Sequence, residues 1–120
     1  MAPSTAIEIF RTAQNTERFE AGAVIFAEGD PGDRLFVVRE GTVALSSGGQ
    51  LLEEVGPGGV FGELALIDSS PRSGTATAAT DCDLVALDER TFLFHVSQTP
   101  FFALNVMRVL AGRLRRATPG

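Results

Sequence analysis

From Phe19 to Leu87 the chain alternates short apolar runs with turn-forming residues, and after Asp88 the apolar positions take up a helical period. Ala23-Val24-Ile25-Phe26, Leu35-Phe36-Val37-Val38 and Thr42-Val43-Ala44-Leu45 are rich in β-branched and aromatic residues and read as strands. Leu51-Leu52, Gly74 to Thr80 and Leu84 to Leu87 read the same way. Glu28-Gly29-Asp30-Pro31-Gly32-Asp33, Arg39-Glu40-Gly41, Ser47-Gly48-Gly49 and Asp81-Cys82-Asp83 are the turns between them. Gly56 to Gly62, with four glycines and one proline, predicts a loop, and Glu63 to Ile67 a single helical turn. Short strands at close intervals imply a sandwich or jelly roll and exclude a parallel α/β sheet.

Helices are expected at both ends. Thr5 to Glu8 fits a capping box ahead of Ile9 and Phe10, predicting a short helix over about residues 6 to 14. Asp88 is placed to cap a helix running to about Ser97. Thr99 is placed to cap a second one, with Pro100 at its first position. Phe102, Val106, Val109 or Leu110, and Leu114 recur at helical spacing along it. Arg113, Arg115 and Arg116 sit near its end, where cations suit the helix dipole.

Composition narrows the function. A chain of 120 residues predicts one domain, and 44% hydrophobic against 21% charged residues suits a packed core. Phe92 to Leu110, the most apolar stretch, is broken by His95, Gln98, Pro100, Asn105 and Arg108, so no membrane span is expected. Without a signal-peptide pattern the expected location is the cytoplasm. Cys82 and His95 are the sole residues of their types, which argues against a disulfide, a metal site or a histidine-based catalytic cluster. A net charge of −5 makes nucleic acid a poor partner, although a small anion in a local pocket remains compatible with it. All 10 cations are arginine, the better fork for phosphate.

The chemistry concentrates between Gly59 and Thr75. Gly62 permits close approach of backbone to a ligand, and a helical turn opening there presents free N–H groups. Glu63 is an acceptor-only carboxylate suited to a hydroxyl. Arg72 offers a fork of donors to phosphate oxygens, and Ser73 adds a hydroxyl. Together they suit a ligand in which a phosphate lies beside a hydroxyl.

The segment Phe61-Gly62-Glu63-Leu64-Ala65-Leu66, followed by Pro71-Arg72-Ser73-Gly74-Thr75, resembles the phosphate-binding cassette of cyclic-nucleotide-binding domains. Such domains occur in bacterial transcription regulators, regulatory subunits of cyclic-AMP-dependent protein kinase and nucleotide-gated channels. Glu63 and Arg72 lie nine positions apart, as is common in that family. Ile25 to Gly41 resembles the family's early strand–turn–strand, and the likeness runs from about Phe19 to the C-terminus.

The resemblance implies a mainly β fold, an eight-stranded β-roll (a double-stranded jelly roll), with a short N-terminal helix and C-terminal helices. Residues 1–18 would form the N-terminal helical segment, and residues 19–120 the nucleotide-binding domain with its lid helix. The ligand would be cyclic AMP or cyclic GMP, bound by Phe61, Gly62, Glu63, Leu64, Ala65, Arg72, Ser73 and Gly74. Glu63 would take the ribose 2′-hydroxyl and Arg72 the phosphate. Arg113 and Arg116 would supply lid contacts over the base. Serine after the arginine is common among cyclic-AMP binders, which favours that ligand. Gly74 departs from the usual alanine, and a looser loop is expected there. No cofactor is implied, and the output would pass through an effector protein or self-association.

Two other readings compete with this non-enzymatic receptor. A degenerate module would keep the fold and act only through protein contacts, against which the intact Glu63 and Arg72 speak. A cupin-type enzyme would share the double-sheet roll but needs several metal ligands, which one histidine does not provide. Taken singly, Glu63 and Arg72 would read as a surface ion pair, Glu53-Glu54 as solvated charge, Cys82 as an inert turn residue and the arginines after Gly112 as a solvated helix end.

Overall fold

Leu35, Phe36, Val37 and Val38 are all buried, and their side chains alternate between two cores. A strand covered on both faces reads as an unbroken apolar run, because neither face needs polar residues. The computed structural model describes residues 16–117; the helix expected over about residues 6 to 14 lies outside them.

Among the described residues, eight strands form two four-stranded antiparallel sheets. They are β1 (Thr16–Phe19), β2 (Val24–Phe26), β3 (Arg34–Glu40), β4 (Val43–Ser47), β5 (Gln50–Val55), β6 (Val60–Phe61), β7 (Thr75–Ala78) and β8 (Cys82–Asp88). One sheet has the order β1-β8-β3-β6 and the other β2-β7-β4-β5. Among the described residues, three helices accompany them: α1 (Glu63–Asp68), α2 (Glu89–Gln98) and α3 (Pro100–Ala117). The architecture is the expected β-roll with C-terminal helices.

Phe36, Val38, Val43, Val55, Phe61 and Leu84 belong to the core between the sheets. On the other face of the first sheet, Leu35, Val37, Val85 and Leu87 pack against Phe102 and Val106 of α3. Helix α3 is therefore fastened to the roll by its first turns. Asp88 caps α2 as anticipated, its Oδ1 accepting from the Thr91 N–H at 2.8 Å. Among the described residues, no helix is long and apolar enough to cross a membrane.

The structure revises four local expectations. Val60-Phe61, inside the predicted loop, pairs with Phe36 and Val37 as a two-residue strand. The glycines around it fold a tight turn onto β3, with the Gly58 N–H on Val38 O and the Val38 N–H on Gly59 O. Cys82 and Asp83, expected in a turn, begin β8 and pair with Phe19 and Arg18. Cys82 is buried, with its thiol on the carbonyls of Thr42 and Thr80 at 3.2 Å. Strand β1 had no apolar signature, and its pairing with β8 begins at Thr16, ahead of residue 19. Strand β5 runs on through Glu53 and Glu54, so those carboxylates belong to a strand.

Candidate functional site

The cassette folds as β6, a left-handed glycine and one short helix. Gly62 has φ 78°, a conformation glycine adopts without strain, and the turn places Glu63 at the start of α1. The chain leaves α1 through Ser69, returns through Pro71 and Arg72, and enters β7 at Thr75. Between this cassette, strands β4 and β5 and the last turns of α3 lies a cavity of about 810 Å³. Phe26, Leu45, Leu52 and Leu64 give it apolar wall on the roll side, and Leu110 and Leu114 do so from α3. Its size suits a ligand of nucleotide dimensions.

Gly62, Glu63, Leu64, Ala65, Arg72, Ser73 and Gly74 all line this cavity. Phe61 faces elsewhere: it is fully buried between the sheets and stacked on Phe36 at 5.3 Å. Gly74 serves a close approach and not looseness, since a Cβ there would lie 2.6 Å from Ser46 O.

Arg72 is 8% exposed. Its Nη1 donates to Arg34 O at 2.9 Å and Gly62 O at 3.1 Å, and its guanidinium lies 4.0 Å from the centre of the Phe26 ring. Its Nε is buried with no hydrogen-bond partner. Burial pulls its pKa below the ordinary arginine value, and the neighbouring Arg34 adds to that, while Asp33 and Asp30 oppose it. A buried guanidinium that meets only carbonyls and a ring keeps a strong attraction for an anion.

Glu63, 4% exposed, is held instead by α3. Nη1 of Arg113 lies 2.9 Å from both of its oxygens. The same guanidinium reaches Glu53 through Nε at 2.9 Å and Nη2 at 3.1 Å, and donates to Val60 O at 2.9 Å. Burial alone would lower the Arg113 pKa, but the two carboxylates more than offset it and the pKa is raised. Hydrogen bonding by Arg113 holds the Glu53 carboxyl below its usual range, against the opposing effect of burial. Arg116 adds a contact to Glu53 at 3.1 Å from an exposed position.

Glu53 therefore lines the cavity as a paired carboxylate where solvated charge was expected, and Arg113 and Arg116, expected as lid contacts over a base or as a solvated helix end, are engaged with Glu53, Arg113 also with Glu63. A charged residue interrupting a strand beside two leucines was the available signal. Arg113 lies 50 residues from Glu63 and 60 from Glu53 along the chain, beyond the reach of local pattern. Among the described residues, no group of three or more His, Cys, Asp and Glu side chains is arranged to hold a metal.

Comparison with known proteins agrees with this geometry. The family model described as cyclic nucleotide-binding domain matches residues 16–98. The chain is 42% identical over 103 residues to a cyclic nucleotide-gated potassium channel of Mesorhizobium japonicum, covering 86% of this chain and 28% of the channel. It is 34% identical over 119 residues to a CRP-like cAMP-activated global transcriptional regulator of Mycobacterium tuberculosis, covering 95% of this chain and 53% of that protein. The crystal structure of the Thermus thermophilus catabolite activator protein is similar with a TM-score of 0.78 and 34% identity, over 98% of this chain and 57% of that one. The chain thus spans only part of the length of these relatives.

Proposed function

The chain belongs to the cyclic nucleotide-binding domain family, and we propose that it is a receptor module, with no catalytic role, whose ligand is cyclic AMP. The carrying observation is Arg72: a buried cation at the cavity wall with an unpartnered Nε and, among the described residues, no carboxylate within salt-bridge distance. A ring phosphodiester would supply the missing acceptor and the countercharge.

Glu63 suits the ribose 2′-hydroxyl. A carboxylate offers about four lone-pair positions. Arg113 takes two of them, one on each oxygen, which leaves room for a hydroxyl donor. The base would lie against Leu45, Leu52 and Leu64, with Leu110 and Leu114 of α3 across the cavity. Ser73, beside the phosphate arginine, supports cyclic AMP over cyclic GMP through the family likeness. Because α3 contributes both apolar wall and the partner of Glu63, a ligand that fills the cavity would favour the docked helix and shift its population. That shift is the output we propose, passed to an effector or a second copy of the chain in the cytoplasm.

Isothermal calorimetry with cyclic AMP and cyclic GMP tests the reading. Dissociation constants at micromolar or below are expected, about −8 kcal/mol or better, with cyclic AMP the tighter. At a hundredfold excess of ligand over that constant the fold gains about 2.7 kcal/mol, seen as a raised melting temperature. No heat and no thermal shift with either nucleotide at millimolar concentration would remove the receptor function.

A further inference from the structure

The geometry points to Gly32 as a positioning residue for the phosphate arginine, required because its missing side chain leaves the space that the Arg72 guanidinium occupies. Gly32 lies in the turn between β2 and β3, outside the cassette, and does not line the cavity. Its backbone does not call for glycine, since Gly32 is absent from the glycines with positive φ, which include Gly29 in the same turn. The neighbour calls for it. A Cβ on Gly32 would collide with Nε of Arg72 and lie 2.5 Å from Cζ and 2.9 Å from Nη2.

The rest of the turn grips the same residue. The Gly29 N–H donates to Arg72 O and the Arg72 N–H donates to Asp30 O, both at 2.8 Å. Arg34 O takes Nη1 at the far end of the side chain. Phe26 covers one face of the guanidinium, and a Cβ on Gly62 would come within 2.8 Å of Nη1. The fork therefore stands in a slot bounded by a ring and two glycines, and its direction is set before any ligand arrives. A methyl group on Gly32 displaces the flexible end of a side chain and leaves the backbone alone. The fold survives the change, and the phosphate loses its donors.

This rests on the receptor reading, and the test separates the two. Nucleotide affinity is measured by calorimetry for the parent, Gly32→Ala, Arg72→Ala and the double variant. Gly32→Ala is expected to weaken cyclic AMP binding roughly ten- to a hundredfold, and to add nothing once Arg72 is gone. It also erases the preference between the two phosphorothioate diastereomers of cyclic AMP, which reports the phosphate contact. The penalty for 2′-deoxy cyclic AMP, which reports Glu63, stays as in the parent. Unchanged affinity and unchanged diastereomer preference in Gly32→Ala would overturn the assignment while leaving the receptor intact.

If the parent binds no nucleotide, the receptor reading fails and the slot is judged without ligand. The Arg72 Nε–H resonance in ¹⁵N NMR must move in Gly32→Ala, and an unmoved resonance overturns the proposal. Should Gly32→Ala fold poorly, the double variant decides: recovery of the melting temperature in the Arg72→Ala background supports the slot, and an equal loss in both backgrounds overturns it.

Discussion

A buried arginine and a half-buried one line the same cavity in opposite electrostatic circumstances. Arg72, on the roll side, has carbonyls and an aromatic ring for company, and its pKa is pulled down by burial. Arg113, on the helix side, lies between two carboxylates, and its pKa is pushed up despite burial. Both are desolvated cations, yet only one is neutralised by the protein itself. The neutralised one fastens α3 to β5 and α1. The other has an Nε without a hydrogen-bond partner, which the proposed reading gives to a ligand. A cation's role is thus read from its partners and not from its burial.

That contrast breaks most easily at Arg113. Arg113→Ala leaves Glu63 buried without its countercharge, and losing one member of a buried pair costs about 3–5 kcal/mol. The lower end is expected, because Glu53 is partly solvated and keeps a contact from Arg116. Urea unfolding of the ligand-free protein reads the loss directly. A change below about 0.5 kcal/mol, the range of ordinary surface substitutions, would mean that the helix is not held by this pair.

Arg72→Ala is the mirror experiment. Affinity falls on the order of tenfold to a few hundredfold, from a charged hydrogen bond worth about 1.5–3 kcal/mol. Ligand-free stability moves little, since the substitution also removes an unsatisfied buried donor. Calorimetry and urea unfolding on one preparation check both halves. A large stability loss with unchanged affinity would exchange the roles given to the two arginines.

Glu63→Ala sharpens the comparison from the acid side. Its proposed nucleotide contact is to a neutral hydroxyl, so its effect on affinity is expected to be smaller than that of Arg72→Ala, about tenfold or less. Competition against a fluorescent nucleotide analogue ranks the two variants. A loss from Glu63→Ala equal to that from Arg72→Ala would place charge, and not the hydroxyl, at the centre of recognition.

The smallest effect concerns acid. Glu53 titrates lower in the folded protein than in the unfolded chain, where a glutamate pKa is about 4.3. Its contribution is therefore present in full above that unfolded value and is lost as pH falls through the depressed folded one. Glu53→Gln removes this part of the acid limb, so parent and variant profiles should converge toward low pH. Parallel profiles from pH 7 to pH 3 would show that the Glu53–Arg113 contact carries no folding energy.

Much of this molecule is written locally. The apolar run of β3, the cap at Asp88, the helical period through Phe102 and Val106 and the cassette from Gly62 to Arg72 each depend on neighbours within a few residues, so pattern alone located them. Strand β1, mostly polar, and strand β6, two residues among glycines, carry no such pattern; they are strands because β8 and β3 offer them hydrogen-bonding partners. The same division runs through the site. Glu63 and Arg72 were legible as an acceptor and a fork, but not that Glu63 would be held from α3 while Arg72 stood in a slot beside Gly32. A side chain's chemical type follows from its identity, whereas its partner depends on which distant segments the fold brings within about 3 Å, the range over which hydrogen bonds and close ion pairs act.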